Sequence, residues 1–436
     1  MQKKQNNIAL VWFRNDLRIK DNAVLHHAIT NHNHVIATYC FDTRHFESDR
    51  YGFKKTEKFR TKFLIETIQD LKANLKKLNI ELFIFNGIPE VNLPQLILNH
   101  HIQTIYSQKE WTFEDKTVFE NLKKSVSNSV VFETFHNQFL YHPDDINMTI
   151  SDIPRVFTNF RKHVEKQSNI RASFKSKPSE AVENIKNTTQ IPTLKDLGFE
   201  AFNTHPNTAF PFNGGESSAL ERLNHYFFET KKLGFYKKTR NGLIGINFSS
   251  KFSPWLANGS ISARTIYFKV KQFEKEYYKN QSTYWLIFEL IWRDYFKYIS
   301  LKHENNLFKI GGILKKRYDW NDNVDLVQKW INGETASAFV NANMIELHKT
   351  GWMSNRGRQN VASYFSKNLK LDWRIGAAYF ESLLIDYDVH SNYGNWQYVS
   401  GIGNDPRDRK FNVKLQADRY DPNGKFQNLW LQNTLF

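Results

Sequence analysis

The first third of the chain alternates between two patterns, and no other feature constrains the fold as strongly. Apolar runs IALVWF (8–13), VIATYCF (35–41), ELFIF (81–85), TIYS (104–107) and SVVFETF (129–135) read as buried strands. Helical patterns lie between them. The clearest covers 56–78, where Leu64, Ile68, Leu71, Leu75 and Leu78 step by four and three and leave the lysines on the opposite face. Strand–helix alternation of this kind predicts an α/β domain with a doubly wound parallel sheet. Such sheets bind ligands at the carboxyl ends of their strands. No Gly-x-Gly-x-x-Gly follows the first run, so the ordinary dinucleotide fingerprint is absent there.

Beyond residue 135 the character changes. Residues 136–205 scatter Pro, Ser, Asn and Lys with weak periodicity (SKPSEAVENIKNTTQIP), which predicts a connector draped over the surface. From about 216 the strand signals vanish, and helical periodicities rich in Trp, Tyr and Phe take over. The expected organisation is an α/β domain over 1–135, a connector over 136–205 and a larger, mostly α domain over 206–436. Nine of the eleven tryptophans lie from Trp255 onward, so the second domain does something the first does not.

Charge narrows the partners. Lys and Arg number 60 against 44 acidic residues, a net charge of +16, and such an excess points to a polyanion, nucleic acid foremost. A lone cysteine, Cys40, excludes a disulfide framework and suits a reducing compartment. The opening MQKKQNNIALVWFRND reaches Arg14 and Asp16 too soon for a signal peptide, and no run approaches ~18 apolar residues. A soluble, cytoplasmic protein is expected.

Four segments carry chemistry. In TYWLIFELIWRDYFKY (283–298) Trp285, Glu289, Trp292, Arg293 and Phe296 share one helical face, and the two charges there need partners. An intrahelical Glu289–Arg293 pair at i, i+4 is the simplest answer. In TGWMSNRGRQNVASYF (350–365) Asn355, Arg358, Gln359 and Ala362 fall on one face, with Arg356 beside them. That row suits the floor of a polar site, or a solvated surface. SSKFSPWL (249–256) offers the hydroxyls of Ser249, Ser250 and Ser253 before Pro254, either for phosphate oxygens or as plain N-caps. LLIDYDVHSNYGNWQYVSGIGNDPR (383–407) sets Asp386, Asp388 and Asn392 among aromatic rings. The histidines of HHAITNHNH (26–34) lack a carboxylate or cysteine to complete a ligand set, so no metal site is expected.

Taken in order, VWFRNDLRIKDN, SSKFSPWL, ELIWRDYF, TGWMSNRGRQN, DWRIGAAYFESLLIDYDVHSNYGNWQY and FNVKLQADRYDPNGKF resemble the photolyase/cryptochrome family over nearly the whole chain. FRNDLR, NRGRQ, NWQYVSGIGNDPR and YDPNG are most similar to its DASH-type cryptochromes. The resemblance implies FAD held in the helical domain. Tyr236 and the run Ser249, Ser250, Lys251, Phe252 and Ser253 would hold its phosphates. Asp386, paired with Arg358, and Asp388 would lie by the isoalloxazine and ribose, and Asn392 would face N5. Trp285, Glu289, Arg293 and Asn355 complete the implied flavin surroundings. Trp396, Trp373 and Trp320 match the family's electron relay. Glu110, after the fourth run, matches the residue that holds a methenyltetrahydrofolate antenna in DASH-type relatives.

The family also implies a function. Light-driven repair of cyclobutane pyrimidine dimers would use Glu289, Asn355 and Trp292 at the lesion. Arg240, Arg293, Arg356 and Arg407 would form a DNA-docking face, with Gln359 and Tyr398 lining the pocket where duplex-repairing relatives carry a methionine and a tryptophan. Those two polar side chains predict a preference for single-stranded DNA, bound by a monomer. A blue-light photoreceptor would use the same flavin without needing Glu289. The chain departs from the family pattern at Ala336, Ala338, Asn341 and Ile345, which removes a local salt bridge, and in its closing WLQNTLF.

Overall fold

A computed structural model gives the fold over residues 5–180 and 185–432. The last four residues of WLQNTLF, and with them most of that departure, lie outside the described residues. In the first part the order is β1 (Gln5–Trp12), α1 (Ala23–Asn31), β2 (His32–Phe41), α2 (Lys58–Lys76), β3 (Leu82–Asn86), α3 (Pro89–Asn99), β4 (Thr104–Gln108), α4 (Phe113–Lys124) and β5 (Val131–Phe135). Every expected strand is present, with ends shifted by three residues or fewer. The five strands run parallel in the order β3-β2-β1-β4-β5, the doubly wound arrangement the alternation predicts. The order reverses between β1 and β4, so a ligand crevice belongs at the carboxyl ends of those two strands.

Helix α2 buries more than the expected stripe. Ile65, Ile68, Leu71 and Leu75 pack on the sheet, while Phe63 and Phe59 enter two cores of the helical part. One helix thus fastens both halves.

The helical part begins with α5 (Phe157–Gln167), α6 (Glu216–Asn224), α7 (Tyr236–Thr239), α8 (Ser253–Ala257) and α9 (Ala263–Glu276). It continues with α10 (Gln281–His303), α11 (Val324–Asn332), α12 (Ala338–Thr350) and α13 (Asn355–Ser363). Then come α14 (Trp373–Leu383), α15 (Val389–Ser400), α16 (Val413–Tyr420) and α17 (Lys425–Leu431). One core surrounds α10; the other gathers Trp330, Phe365, Trp373, Phe380 and Trp396. Helix α10 starts at a capping box, with Asn280 accepting from Ser282 and Thr283 while Thr283 Oγ1 accepts from the Asn280 N–H.

The surface connector expected over 136–205 needs correction. Its first part is core: Phe139, Leu140, Tyr141, Ile153, Phe157 and Phe160 are buried against α10. The carboxylate of the fully buried Asp294 accepts from Leu140 N–H and Tyr141 N–H at 2.9 and 2.8 Å, fixing the segment there. Leu197 and Phe199 return to the core of the sheet domain. Scattered apolar residues separated by polar ones conceal such anchors from a periodicity reading.

Candidate flavin site and its surroundings

Ser354 caps α13 by accepting from Gly357 N–H at 3.0 Å, and the helical spacing then turns Asn355, Arg358, Gln359 and Ala362 to one cavity. The polar-floor reading of that row holds. Phe380, Leu384, Trp396 and Val399 form apolar walls, and Asp386, Asp388 and Asn392 supply the remaining polar groups. Arg358 Nη2 donates to both Asp386 oxygens at 2.9 and 3.0 Å, while its Nε is held by Met353 O. The expected pair is present and its carboxylate is buried. Asn392 Nδ2 donates to Ala377 O at 3.0 Å, so its amide oxygen is what remains for a ligand N–H. Gln359 Oε1 is buried with no protein partner.

Asp388 does three things at once. It caps α15 by accepting from Ser391 N–H, accepts from Lys297 Nζ at 2.8 Å, and lines a second cavity. Burial alone would raise its carboxyl, but Lys297, His390 and Arg293 overcome that and hold it well below the usual carboxylate range. The second cavity, ≈ 510 Å³, lies between the two domains at the carboxyl ends of β1 and β4. Glu110 lines it, accepting from Gln108 Nε2 at 2.7 Å and Asn15 Nδ2 at 3.3 Å. Burial, with Asp115 adding, pushes its carboxyl up to about 7. The crevice that the strand order requires is therefore built around Glu110.

The hydroxyls of Ser249, Ser250 and Ser253 are not N-caps, since Phe252 occupies the cap of α8 and makes no side-chain bond there. Their loop is shaped from below by buried Arg222. Its guanidinium donates to Ser250 O, Ser249 O, Ile246 O and Asn247 Oδ1. Lys251, buried at positive φ (63°), sets its ammonium 4.7 Å from the Trp352 ring centre, and Arg358 approaches the same ring. Burial brings the Lys251 ammonium down to about 8, and Glu346 opposes the shift. Tyr236 is buried nearby in sequence, at the start of α7. Arg222 and Trp352 went unread in the sequence; a buried Arg shows itself only once the loop it serves is folded.

Glu289 corrects a second expectation. Its partner is Arg240, at 2.5 Å, and not Arg293. Burial raises the Glu289 carboxyl, and Arg240 and Trp285 partly offset it. Arg293 instead donates to Gln138 O and Leu256 O and faces the interdomain cavity, so it does not belong to a docking face. Trp292 stacks on Phe157 with ring centres 3.7 Å apart and meets Tyr398 edge to face at 5.9 Å. Arg409 donates to the Tyr398 hydroxyl at 2.9 Å. Trp285 stacks on Phe288 beneath Lys237. Arg356 reaches Gln416 and Asn241 and covers the Tyr420 ring, while the Arg407 side chain is exposed.

Of the three relay tryptophans, Trp373 and Trp396 are buried and Trp320 is half-buried. Trp373 donates to Ile310 O; the Nε1 atoms of Trp396 and Trp320 have no protein partner. Trp396 also touches Phe380 and fully buried Trp330, a neighbour the sequence reading missed. Among the described residues no group of His, Cys, Asp and Glu is placed to hold a metal, and no helix is long and apolar enough to cross a membrane.

A paired guanidinium, a free amide oxygen, an orphaned Gln359 acceptor and apolar walls fit a flavin ring. Known proteins point the same way. A family model described as the FAD binding domain of DNA photolyase matches residues 285–434, and one described as DNA photolyase matches 9–183. Cryptochrome DASH of Danio rerio is 47% identical over 96% of this chain and 82% of its own length. That of Synechocystis sp. is 44% identical over 97% and 87%. A crystal structure of the Synechocystis sp. cryptochrome superposes with a TM-score of 0.94 at 43% identity, covering 99% of this chain and 90% of the other. A bacterial class III photolyase from Agrobacterium tumefaciens shares the fold, with a TM-score of 0.83 at 24% identity over 99% and 88%. With both domains matched and the likeness running nearly end to end, the chain belongs to the photolyase/cryptochrome family, beside the cryptochromes of DASH type.

Proposed function

We propose that the protein uses FAD and blue light to split cyclobutane pyrimidine dimers, preferentially in single-stranded DNA. The observation that carries this reading is Glu289. It is a carboxyl raised by burial, tied to Arg240 and set on the helix that also presents Trp292. A carboxyl of that kind can share a proton with a pyrimidine edge and steady the charge that develops on it. A photoreceptor has no use for it.

Bound FAD supplies the light-driven electron; the chain's residues position and protect. Tyr236 and the Ser249–Ser253 run, with Lys251, hold the phosphates. Arg358, Asp386, Asp388 and the Asn392 oxygen fix the ring system. Trp396, Trp373 and Trp320 carry electrons inward from the surface. Trp292, braced by Phe157, offers a flat wall to the dimer, with Asn355 beside the cavity mouth. Arg240, Arg356 and Arg407 meet DNA phosphates. Glu110 takes a folate antenna in the interdomain cavity.

The strand preference rests on two side chains. The Tyr398 phenol is tied to Arg409, and Gln359 carries an orphaned acceptor, so both offer polar rather than apolar surface. Extracting a dimer from a duplex costs a few kcal/mol that such a pocket returns poorly. Reduced protein is expected to repair a single-stranded oligonucleotide at least tenfold faster than its duplex, and Glu289→Ala to slow repair by at least tenfold at unchanged FAD content. Equal repair of both strands refutes the pocket argument. No repair of either, with FAD bound and reducible, favours the photoreceptor.

A further inference from the structure

A third cavity remains unused by this reading. It is an open cleft of ≈ 750 Å³ walled by the start of α12, by α16 and by the 410–414 segment. Its size is that of a ligand site. Lys410 and Lys414 stand on its rim, exposed, and pair with no carboxylate among the described residues; nor does Arg407 just before them. Asp418 is the one acidic residue in the lining. Phe411 lies half-buried between the two lysines and lines the cleft.

The cleft is built, not frayed. Phe411 N–H donates to Ser363 Oγ at 3.0 Å, and Asn412 caps α16 by accepting from Leu415 N–H at 3.1 Å. Upstream, Asp405 holds Arg409 and Lys367 holds Asp408, at 2.9 and 2.5 Å. Arg409, next to Lys410 in the chain, is the residue that fixes the Tyr398 hydroxyl. The cleft therefore begins where the Trp292–Tyr398 wall ends.

We propose that this cleft is a track for the single strand that flanks the dimer, with Lys410 and Lys414 on its phosphates and the Phe411 ring under a base. The pattern of unpaired cations interleaved with an aromatic is that of sequence-tolerant single-strand binding. The proposal rests on the reading of the Trp292–Tyr398 wall as the lesion site, and the test separates the two.

FAD-loaded full-length protein is titrated with two dimer-bearing single strands, one barely longer than the dimer and one of about 16 nucleotides. The parent binds the longer more tightly. Lys410→Ala/Lys414→Ala abolishes that preference and lowers the salt slope on the long strand by about 1.4, at ~0.7 per lost phosphate contact. Affinity for the short strand and its photorepair stay unchanged. The matched pair Lys123→Ala/Lys124→Ala on α4 removes the same charge and leaves the slope intact. Phe411→Leu, which keeps an apolar side chain, weakens long-strand binding about tenfold, and Phe411→Tyr restores it. If the parent repairs neither strand but the double variant still loses slope, the cleft stands and the lesion site falls. Equal slopes for the two lysine pairs, or no length preference in the parent, overturn the cleft.

Discussion

Two cavities share one wall, Tyr387 and Asp388, yet treat charge in opposite ways. In the flavin cavity every carboxylate has a cation: Asp386 has Arg358 and Asp388 has Lys297. In the interdomain cavity Glu110 is bonded only to side-chain amides, and its carboxyl sits near neutrality. The first cavity keeps one charge state across ordinary pH; the second changes state with pH or with a ligand. Permanent pairing suits a cofactor that stays, and a titrating carboxyl suits one that exchanges.

The largest effect comes from breaking the permanent pairing. Asp386→Ala leaves Arg358 without its counter-charge, a change of about 3–5 kcal/mol for a buried pair. Flavin absorbance at equal protein should fall by at least tenfold, with a lower Tm. Wild-type flavin content in that variant would remove the pair from the site.

A smaller effect tests the wall that only the flavin cavity has. Trp396→Phe keeps most of the packing volume, so FAD content should hold, while photoreduction slows at least tenfold. Unchanged photoreduction would send the electrons by another route, through Trp330 for instance.

The smallest effect probes the titrating side. A carboxyl raised in the folded state favours folding at low pH, and that contribution is lost as pH rises from about 4.5 to about 7. Glu110→Gln removes this dependence. Its Tm should match the parent at pH 5 and exceed it by a few degrees, on the order of 3 °C, at pH 8. Folate binding should weaken while FAD content stays constant. A variant less stable at pH 8 would reverse the sign and the comparison with it.

The N-terminal domain was legible because strands buried on both faces read as continuous apolar runs, and periodicity finds those directly. The helical row Asn355, Arg358, Gln359 was legible for a similar reason, since a polar face beside an apolar one requires a site. Partners across the fold were not. Glu289 has Arg293 one turn away in sequence, but Arg293 is taken by two backbone carbonyls, and Arg240 arrives from α7 instead. Phe157 behind Trp292 and Arg222 beneath the serine loop come from segments whose local patterns say nothing of either role. The lost salt bridge at Asn341 and Ile345 also resolves only in three dimensions. Asn341 clasps the Thr335 backbone and hydroxyl, and Ile345 is buried as a core residue.

Helix α10 carries Glu289, Asp294 and Lys297 without a break. The carboxyl at the lesion and the ammonium at the shared wall are eight residues apart, which fixes about 12 Å between them along the axis. The helix is thus a ruler as well as a scaffold. One residue inserted between Glu289 and Lys297 would swing everything downstream by about 100°, taking Lys297 off Asp388 while leaving Glu289 on Arg240. Loops elsewhere in the chain can lengthen or shorten freely; the span between those two residues cannot change by even one.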